Sequence, residues 1–253
     1  MRRLVRLAEI GPDDVVLEVG PGLGSLTLGL LGAATRVLAV EVDEALAAAL
    51  SATATARLAP AAAARLTVLA RDGLRLTPAD LAATGVTPGV LAANLPYNLA
   101  VPLLLTLLER VPSIQRGLVM VQQEVADRLT SPPGGRVYGV PSVKLAWYAA
   151  ARPAGPVPRS VFWPVPNVDS GLVAFTRRER PAPEALRLDV FAAIDAAFAQ
   201  RRKTLRTALA GWAGSPTAVD RLAAAAGIDP GARGETLDIA AYCRLAAARA
   251  AER

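Results

Sequence analysis

The first 122 residues alternate short apolar runs with helical patterns, and no other feature constrains the fold as much. Val15–Gly20, Val37–Glu41, Leu66–Ala70, Val90–Asn94 and Leu118–Gln122 read as strands that are apolar on both faces. Helices are expected between them, over Leu26–Ala33, Asp43–Leu58 and Val101–Arg110. Strands buried on both faces and separated by helices call for a parallel sheet covered on each side. Val143–Ala149 and Leu172–Thr176 are expected to add two strands, joined by a Pro-rich loop over Arg152–Gly171, for a sheet of about seven. A polar, Pro-punctuated connection follows at Arg177–Glu184. Beyond it only helical patterns occur, over Leu188–Ala210, over Thr217–Ala226 with a stop at Gly227, and over Asp238–Glu252. The expected organisation is an α/β domain over residues 1–179 and a small all-helical domain over 180–253.

Composition narrows the chemistry. The 253 residues are 53% apolar with a mean hydropathy of +0.34, which excludes a disordered chain. No stretch approaches the roughly 18 unbroken apolar residues of a membrane span, and the N-terminus has no apolar signal region. A soluble, cytoplasmic protein without a membrane partner is expected. The chain has no histidine and a single cysteine, Cys243. Histidine triads, imidazole acid–base catalysis and cysteine clusters are thereby excluded, and no metal is expected. The net charge is +6 with a pI near 10.2, which favours a polyanionic partner. The basic excess is denser in residues 171–253, with 13 bases against 9 acids.

The candidate site lies at the carboxyl ends of the strands. Glu18-Val-Gly20-Pro-Gly22-Leu-Gly24 places glycines between a strand and a helix, where the backbone can approach a ligand closely. The loop lacks both a dinucleotide fingerprint and a Gly-Lys-Ser/Thr phosphate loop, and Glu18 precedes its glycines. An acid with no neighbouring base suits a cationic ligand better than a pyrophosphate. Glu41, Asp72 and Asn94 end the next three strands, and in a doubly wound sheet they share one crevice with Gly20. Glu41 stands about 20 residues past the glycines, where an acid accepts both ribose hydroxyls. Asp72 is placed to accept from an adenine amino group. Together they describe an adenosine-bearing cation, and S-adenosyl-L-methionine fits.

The sharpest motif is Asn94-Leu95-Pro96-Tyr97-Asn98. The exocyclic nitrogen of adenine is a poor nucleophile because its lone pair is delocalised into the ring. The Asn94 amide oxygen and the Leu95 carbonyl, accepting its two N–H bonds, would favour a pyramidal nitrogen. Pro96 fixes the turn. Tyr97 offers a flat face for an extruded base, worth roughly 1–3 kcal/mol. Asn94, Leu95 and Tyr97 are the expected catalytic residues.

These segments, with Val121–Leu129, Tyr138-Gly139, Phe162–Ser170 and Phe198–Arg206, resemble the small-subunit (16S) ribosomal RNA adenine N6-dimethyltransferases of the kasugamycin-sensitivity type. The resemblance runs from about Val15 to the end. It implies a Rossmann-like methyltransferase domain followed by a helical RNA-binding domain. The implied activity moves methyl groups from S-adenosyl-L-methionine to N6 of two adjacent adenines near the 3′ end of 16S rRNA in the assembling small subunit, with the protein acting as a monomer. By this resemblance Gly20, Glu41, Asp72 and Asn94 bind the cofactor, and Asn94 and Tyr97 hold the target base. Glu18 and Gly22 of the same loop are expected to join the cofactor site, and Phe162 is a candidate second stacking face for the base or else an aromatic covering the sheet edge. Arg201, Arg202, Lys203 and Arg206, grouped on the first helix of the appendage, contact RNA phosphates, with Arg136 a further candidate. The family carries a Gln-Asn-Phe-Leu stretch before its first strand that closes over the methionine end of the cofactor. Here fourteen residues precede Val15 and that stretch is missing, so a truncated N-terminal segment is expected.

Two alternatives stand beside this expectation. One is the large-subunit rRNA adenine dimethyltransferase of the macrolide-resistance type, which shares the Asn-Leu-Pro-Tyr chemistry. Phe198–Arg206 and the Gly227-Ile-Asp-Pro ending favour the small-subunit type. The other is a ribosome-assembly factor that binds RNA without catalysis.

Overall fold

The computed structural model describes residues 2–162 and 165–252. Trp163 and Pro164, part of the Phe162–Ser170 motif, lie outside the described residues. In chain order the first elements are α1 (Arg2–Leu7), β1 (Val15–Val19), α2 (Thr27–Leu31), β2 (Arg36–Glu41), α3 (Glu44–Arg57), α4 (Pro60–Ala63) and β3 (Leu66–Ala70). Next come α5 (Pro78–Thr84), β4 (Val90–Asn94), α6 (Ala100–Arg110), β5 (Arg116–Gln122), α7 (Gln123–Thr130), α8 (Val140–Tyr148), β6 (Ala149–Val157) and β7 (Ser170–Arg177). The chain closes with α9 (Arg187–Ala199), α10 (Leu205–Ala208), α11 (Ala210–Ala213), α12 (Pro216–Ala226) and α13 (Ile239–Ala251). Among the described residues no helix is long and apolar enough to cross a membrane.

The chain separates into two compact units, Met1–Ala126 with Ala151–Arg177, and Asp127–Ala150 with Arg178–Arg253. The first unit is built on a seven-stranded sheet in the order β3-β2-β1-β4-β5-β7-β6. Strands β1 to β5 run parallel, and β7 pairs antiparallel with β5. Val16, Leu17, Val37, Leu38, Val90 and Leu91 are buried to 2% exposure or less, as strands covered on both faces must be. Because β2 and β3 lie to one side of β1 and β4 to the other, the strand order reverses between β1 and β4. Ligands of doubly wound sheets bind at the carboxyl ends around such a point.

Local chemistry explains the boundaries. The Asp43 carboxylate accepts from the amides of Ala45 and Leu46 and starts α3. Thr77 and Asp80 form a reciprocal capping box on α5. Val143–Ala149 is not a strand: Gly139, Pro141 and Ser142 open helix α8 there, and its apolar run is buried all round. The Pro-rich stretch expected as a loop holds β6, which ends the strand order, where prolines need no ladder partner.

The second unit takes in residues 127–150, a stretch that the sequence assigns to the first domain. The Tyr138 hydroxyl donates to the Leu237 carbonyl at 2.8 Å, and Lys144 pairs with Asp195 at 2.7 Å. Phe191 meets the rings of Trp147 and Tyr148 edge-on. The long helix expected over Leu188–Ala210 is instead α9, a turn, α10 and α11. The turn is held by the Leu205 and Arg206 amides, which donate to the carbonyls of Ala232 and Pro230. Gly227 ends α12 in the left-handed region, φ 65°, as its position after an apolar periodic run suggests.

Candidate active site

The glycine loop after β1 is shaped by backbone conformations that favour glycine. Gly20 has φ +70° and Gly24 φ +87°, and a Cβ on Gly24 would lie 2.6 Å from Leu50 Cδ1. The Gly20 amide donates to the Val40 carbonyl at 3.0 Å, which carries the β1–β2 ladder into the loop. The Gly22 amide donates to Glu41 Oε2 at 3.1 Å, and the Asp43 amide to Glu41 Oε1 at 3.1 Å. Glu41 is thereby fixed at the end of β2 with its carboxylate against the loop.

Gly20, Glu41 and Asp72 line one cavity of about 80 Å³, together with Val42, Arg71, Pro96, Leu99 and Leu103. Val42 and Leu99 remain 68% and 37% exposed, large apolar side chains on the rim of a polar site. Asp72 Oδ1 caps the turn after β3 by accepting from the Leu74 amide at 2.9 Å. Arg71 is tethered by Asp80, with Nε 3.4 Å from Oδ2. Asn94 ends β4 beside Gly20: a Cβ on that glycine would lie 3.9 Å from the Asn94 carbonyl oxygen. The Asn94 backbone pairs with Met120, and the Leu95 amide donates to the Met120 carbonyl at 3.0 Å. Its half-buried carboxamide makes no hydrogen bond to another described residue. The strand ends thus run Asp72, Glu41, Gly20, Asn94 across the sheet.

Tyr97 is half-buried, and its hydroxyl lies 3.0 Å from Ser170 Oγ. Phe162 stands in the wall of a second cavity of about 470 Å³, with Arg3, Leu4, Ser25, Met120 and Leu172. Its ring packs against the apolar cluster that includes Leu4, Leu26 and Met120. Glu18 turns away from the first cavity. It is 1% exposed and accepts from Thr27 Oγ1 at 2.6 Å. Burial pushes its carboxyl up to about 8, against the lowering effect of the Thr27 bond and with a smaller rise from the Glu41 charge. Burial of this kind favours the protonated carboxyl, and of the two acids at the loop Glu41 is the one that lines the cavity.

The basic cluster is also rearranged. Arg201–Lys203 follow α9 instead of lying on it, and Arg206 is on α10. Arg201 pairs with Glu235 at 2.6 Å and donates to the Arg136 carbonyl, while Arg206 pairs with Asp220 at 3.1 Å. Arg202 and Lys203 are exposed and make no ion pair with another described residue. Val42, Leu99 and Ser170 escaped the sequence reading. Val42 could have been found as the exposed residue between Glu41 and Asp43, whereas Ser170 closes the Phe162–Ser170 motif with nothing in it that points to Tyr97.

The family model described as ribosomal RNA adenine dimethylase matches residues 1–250. The chain is 61% identical over 249 residues to the ribosomal RNA small subunit methyltransferase A of Kineococcus radiotolerans, covering 98% of this chain and 81% of that one. Its counterpart in Streptomyces griseus is 59% identical over 97% of this chain and 83% of its own. Among solved structures, a dimethyladenosine transferase from Plasmodium falciparum superposes with a TM-score of 0.73 at 21% identity, over 96% of this chain and 92% of that one. The 23S rRNA methyltransferase ErmE superposes with a TM-score of 0.68 at 25% identity, over 98% and 95%. With the family model spanning nearly its whole length, this chain belongs to the ribosomal RNA adenine dimethylases.

Proposed function

We propose that this protein transfers methyl groups from S-adenosyl-L-methionine to N6 of two adjacent adenines near the 3′ end of 16S rRNA, giving N6,N6-dimethyladenines. The observation that carries the reading is the row of strand ends: two acids and an amide beside a glycine loop, with Tyr97 three residues past the amide. The relatives of 59–61% identity are both named as small-subunit enzymes, which favours that subunit over the large one.

The donor set suits this cofactor. Glu41 has its carboxylate held by two amides and oxygen lone pairs left over for ribose hydroxyls. Asp72 can accept from the adenine amino group, and Val42 and Leu99 can sandwich the ring. Gly20 and Gly22 let the backbone approach. When bound, S-adenosyl-L-methionine supplies an electrophilic methyl group on a sulfonium. The Asn94 amide oxygen and the Leu95 carbonyl would accept the two N6–H bonds of the target adenine and draw its lone pair out of conjugation. Positioning and preorganised dipoles of this kind carry most of such a reaction. Tyr97 is the stacking face, and Phe162 a second one once a base reaches its cavity. The helical unit serves as the RNA-binding domain, and the protein acts as a cytoplasmic monomer on the assembling small subunit.

Transfer of labelled methyl groups distinguishes the substrates. Incorporation into small-subunit particles lacking the marks, and little into naked large-subunit RNA, is the expected result; the reverse preference would overturn the assignment. Asp72→Ala is expected to weaken cofactor binding by about tenfold in calorimetry, the size of one hydrogen bond to a charged group. An unchanged affinity would remove Asp72 from the adenine end. Arg202→Ala with Lys203→Ala is expected to lower the salt slope of rRNA binding by about 1.5, at roughly 0.7–0.9 per phosphate contact. A salt titration giving the wild-type slope would take both residues out of the interface.

A further inference from the structure

Tyr97 sits in the turn between β4 and α6, closed by the Leu99 amide on the Pro96 carbonyl at 3.0 Å. The angle of its ring is governed by two side-chain torsions. Ser170 is the first residue of β7 and is fully buried, with 0% exposure. It pairs with Gln122 of β5, and through Met120 the same β5 holds Asn94 of β4. The Tyr97 hydroxyl and Ser170 Oγ are 3.0 Å apart across 73 residues of sequence. A buried hydroxyl needs a partner, and here the phenol supplies it.

We propose that Ser170 is a positioning residue: it pins the far end of the Tyr97 ring to the sheet that carries Asn94, and so fixes the stacking face relative to the amide that receives the target nitrogen. The inference rests on the reading of Tyr97 as that face. Loss of the pin leaves the ring present but free to rotate, a misplacement that costs rate more than binding. Ser170→Ala removes one oxygen from the interior and leaves the backbone pairing intact, so the fold survives it.

The test compares Ser170→Ala, Tyr97→Phe, their combination and Tyr97→Ala, using small-subunit particles and calorimetry of cofactor binding. The first two are expected to lower kcat by about tenfold, with cofactor affinity and the KM for the particle held. The double variant should lose no more than either single one, because both remove one bond. With 2-aminopurine at the target position, fluorescence should be less quenched in Ser170→Ala than in the wild type, a signature that general loosening far from the ring would not give. Wild-type kcat in Ser170→Ala, or losses that add in the double variant, would overturn the inference while Tyr97→Ala still abolishes stacking. Full activity and full quenching in Tyr97→Ala would instead overturn the reading of Tyr97 itself.

Discussion

Asn94→Ala is expected to lower methyl transfer by about two to three orders of magnitude, the usual cost of removing one preorganised polar group from a transition state. The expectation is specific because the side chain does so little for the fold. The Asn94 backbone is held by Met120 on the neighbouring strand, and its carboxamide makes no hydrogen bond to another described residue. Thermal stability should therefore stay close to wild type while kcat falls. The KM for the RNA particle should change much less, because the amide is asked to act on a nitrogen that rehybridises as it reacts. Single-turnover methylation with saturating cofactor measures this directly. A rate within about threefold of wild type would show that the amide does not receive the target nitrogen.

The second large effect concerns stability. Burial raises the Glu18 carboxyl from its ordinary 4.5 to about 8, so the folded protein holds a proton that the unfolded chain releases. A raised folded value contributes stability that is complete below about 4.5 and disappears as the pH climbs through about 8. At roughly 1.4 kcal/mol per unit of separation between the two values, the loss is on the order of 5 kcal/mol. Glu18→Gln keeps an oxygen for Thr27 Oγ1 and cannot ionise. Between pH 5 and pH 9 the wild-type Tm is expected to fall by about 10 °C more than that of the variant. Parallel melting curves across that range would mean that Glu18 finds its counter-charge in the folded state.

How far sequence reaches into this structure follows from where its information lies. Val90–Asn94 was legible as a buried strand because it is short, apolar on both faces and bounded by turn residues. That Gly20, Glu41, Asp72 and Asn94 share one edge followed from the topology of doubly wound sheets, with no need of side-chain detail, while their order along it comes from the strand order of the fold. The same apolar continuity misled over Val143–Ala149, where a helix buried on all sides carries the pattern of a buried strand. Gly139, Pro141 and Ser142 were the available signs of a helix start. Prolines Pro153 and Pro156 argued against a strand, yet β6 is the edge where they are tolerated.

Other features were out of reach because distant segments decide them. The turn after α9 contains no helix breaker among Gln200, Arg201, Arg202, Lys203 and Thr204. It forms because Ala232 and Pro230 accept the amides of the next turn, and Arg201 meets Glu235. That tertiary pairing draws in Arg201, while Arg202, Lys203 and Arg206 stay exposed, the last of them paired with Asp220. Glu18 and Thr27 are close in sequence, but which way the carboxyl turns depends on the packing beneath the loop. The bond between Tyr97 and Ser170 joins two motifs that nothing in either one ties together.

The most direct measurement is a crystal structure of this protein with S-adenosylhomocysteine bound. The prediction is a ribose whose hydroxyls meet the Glu41 carboxylate, an adenine amino group on Asp72 between Val42 and Leu99, and a sulfur end directed toward Asn94. A cofactor product lying in the Phe162 cavity with Glu41 and Asp72 untouched would contradict the account at its root.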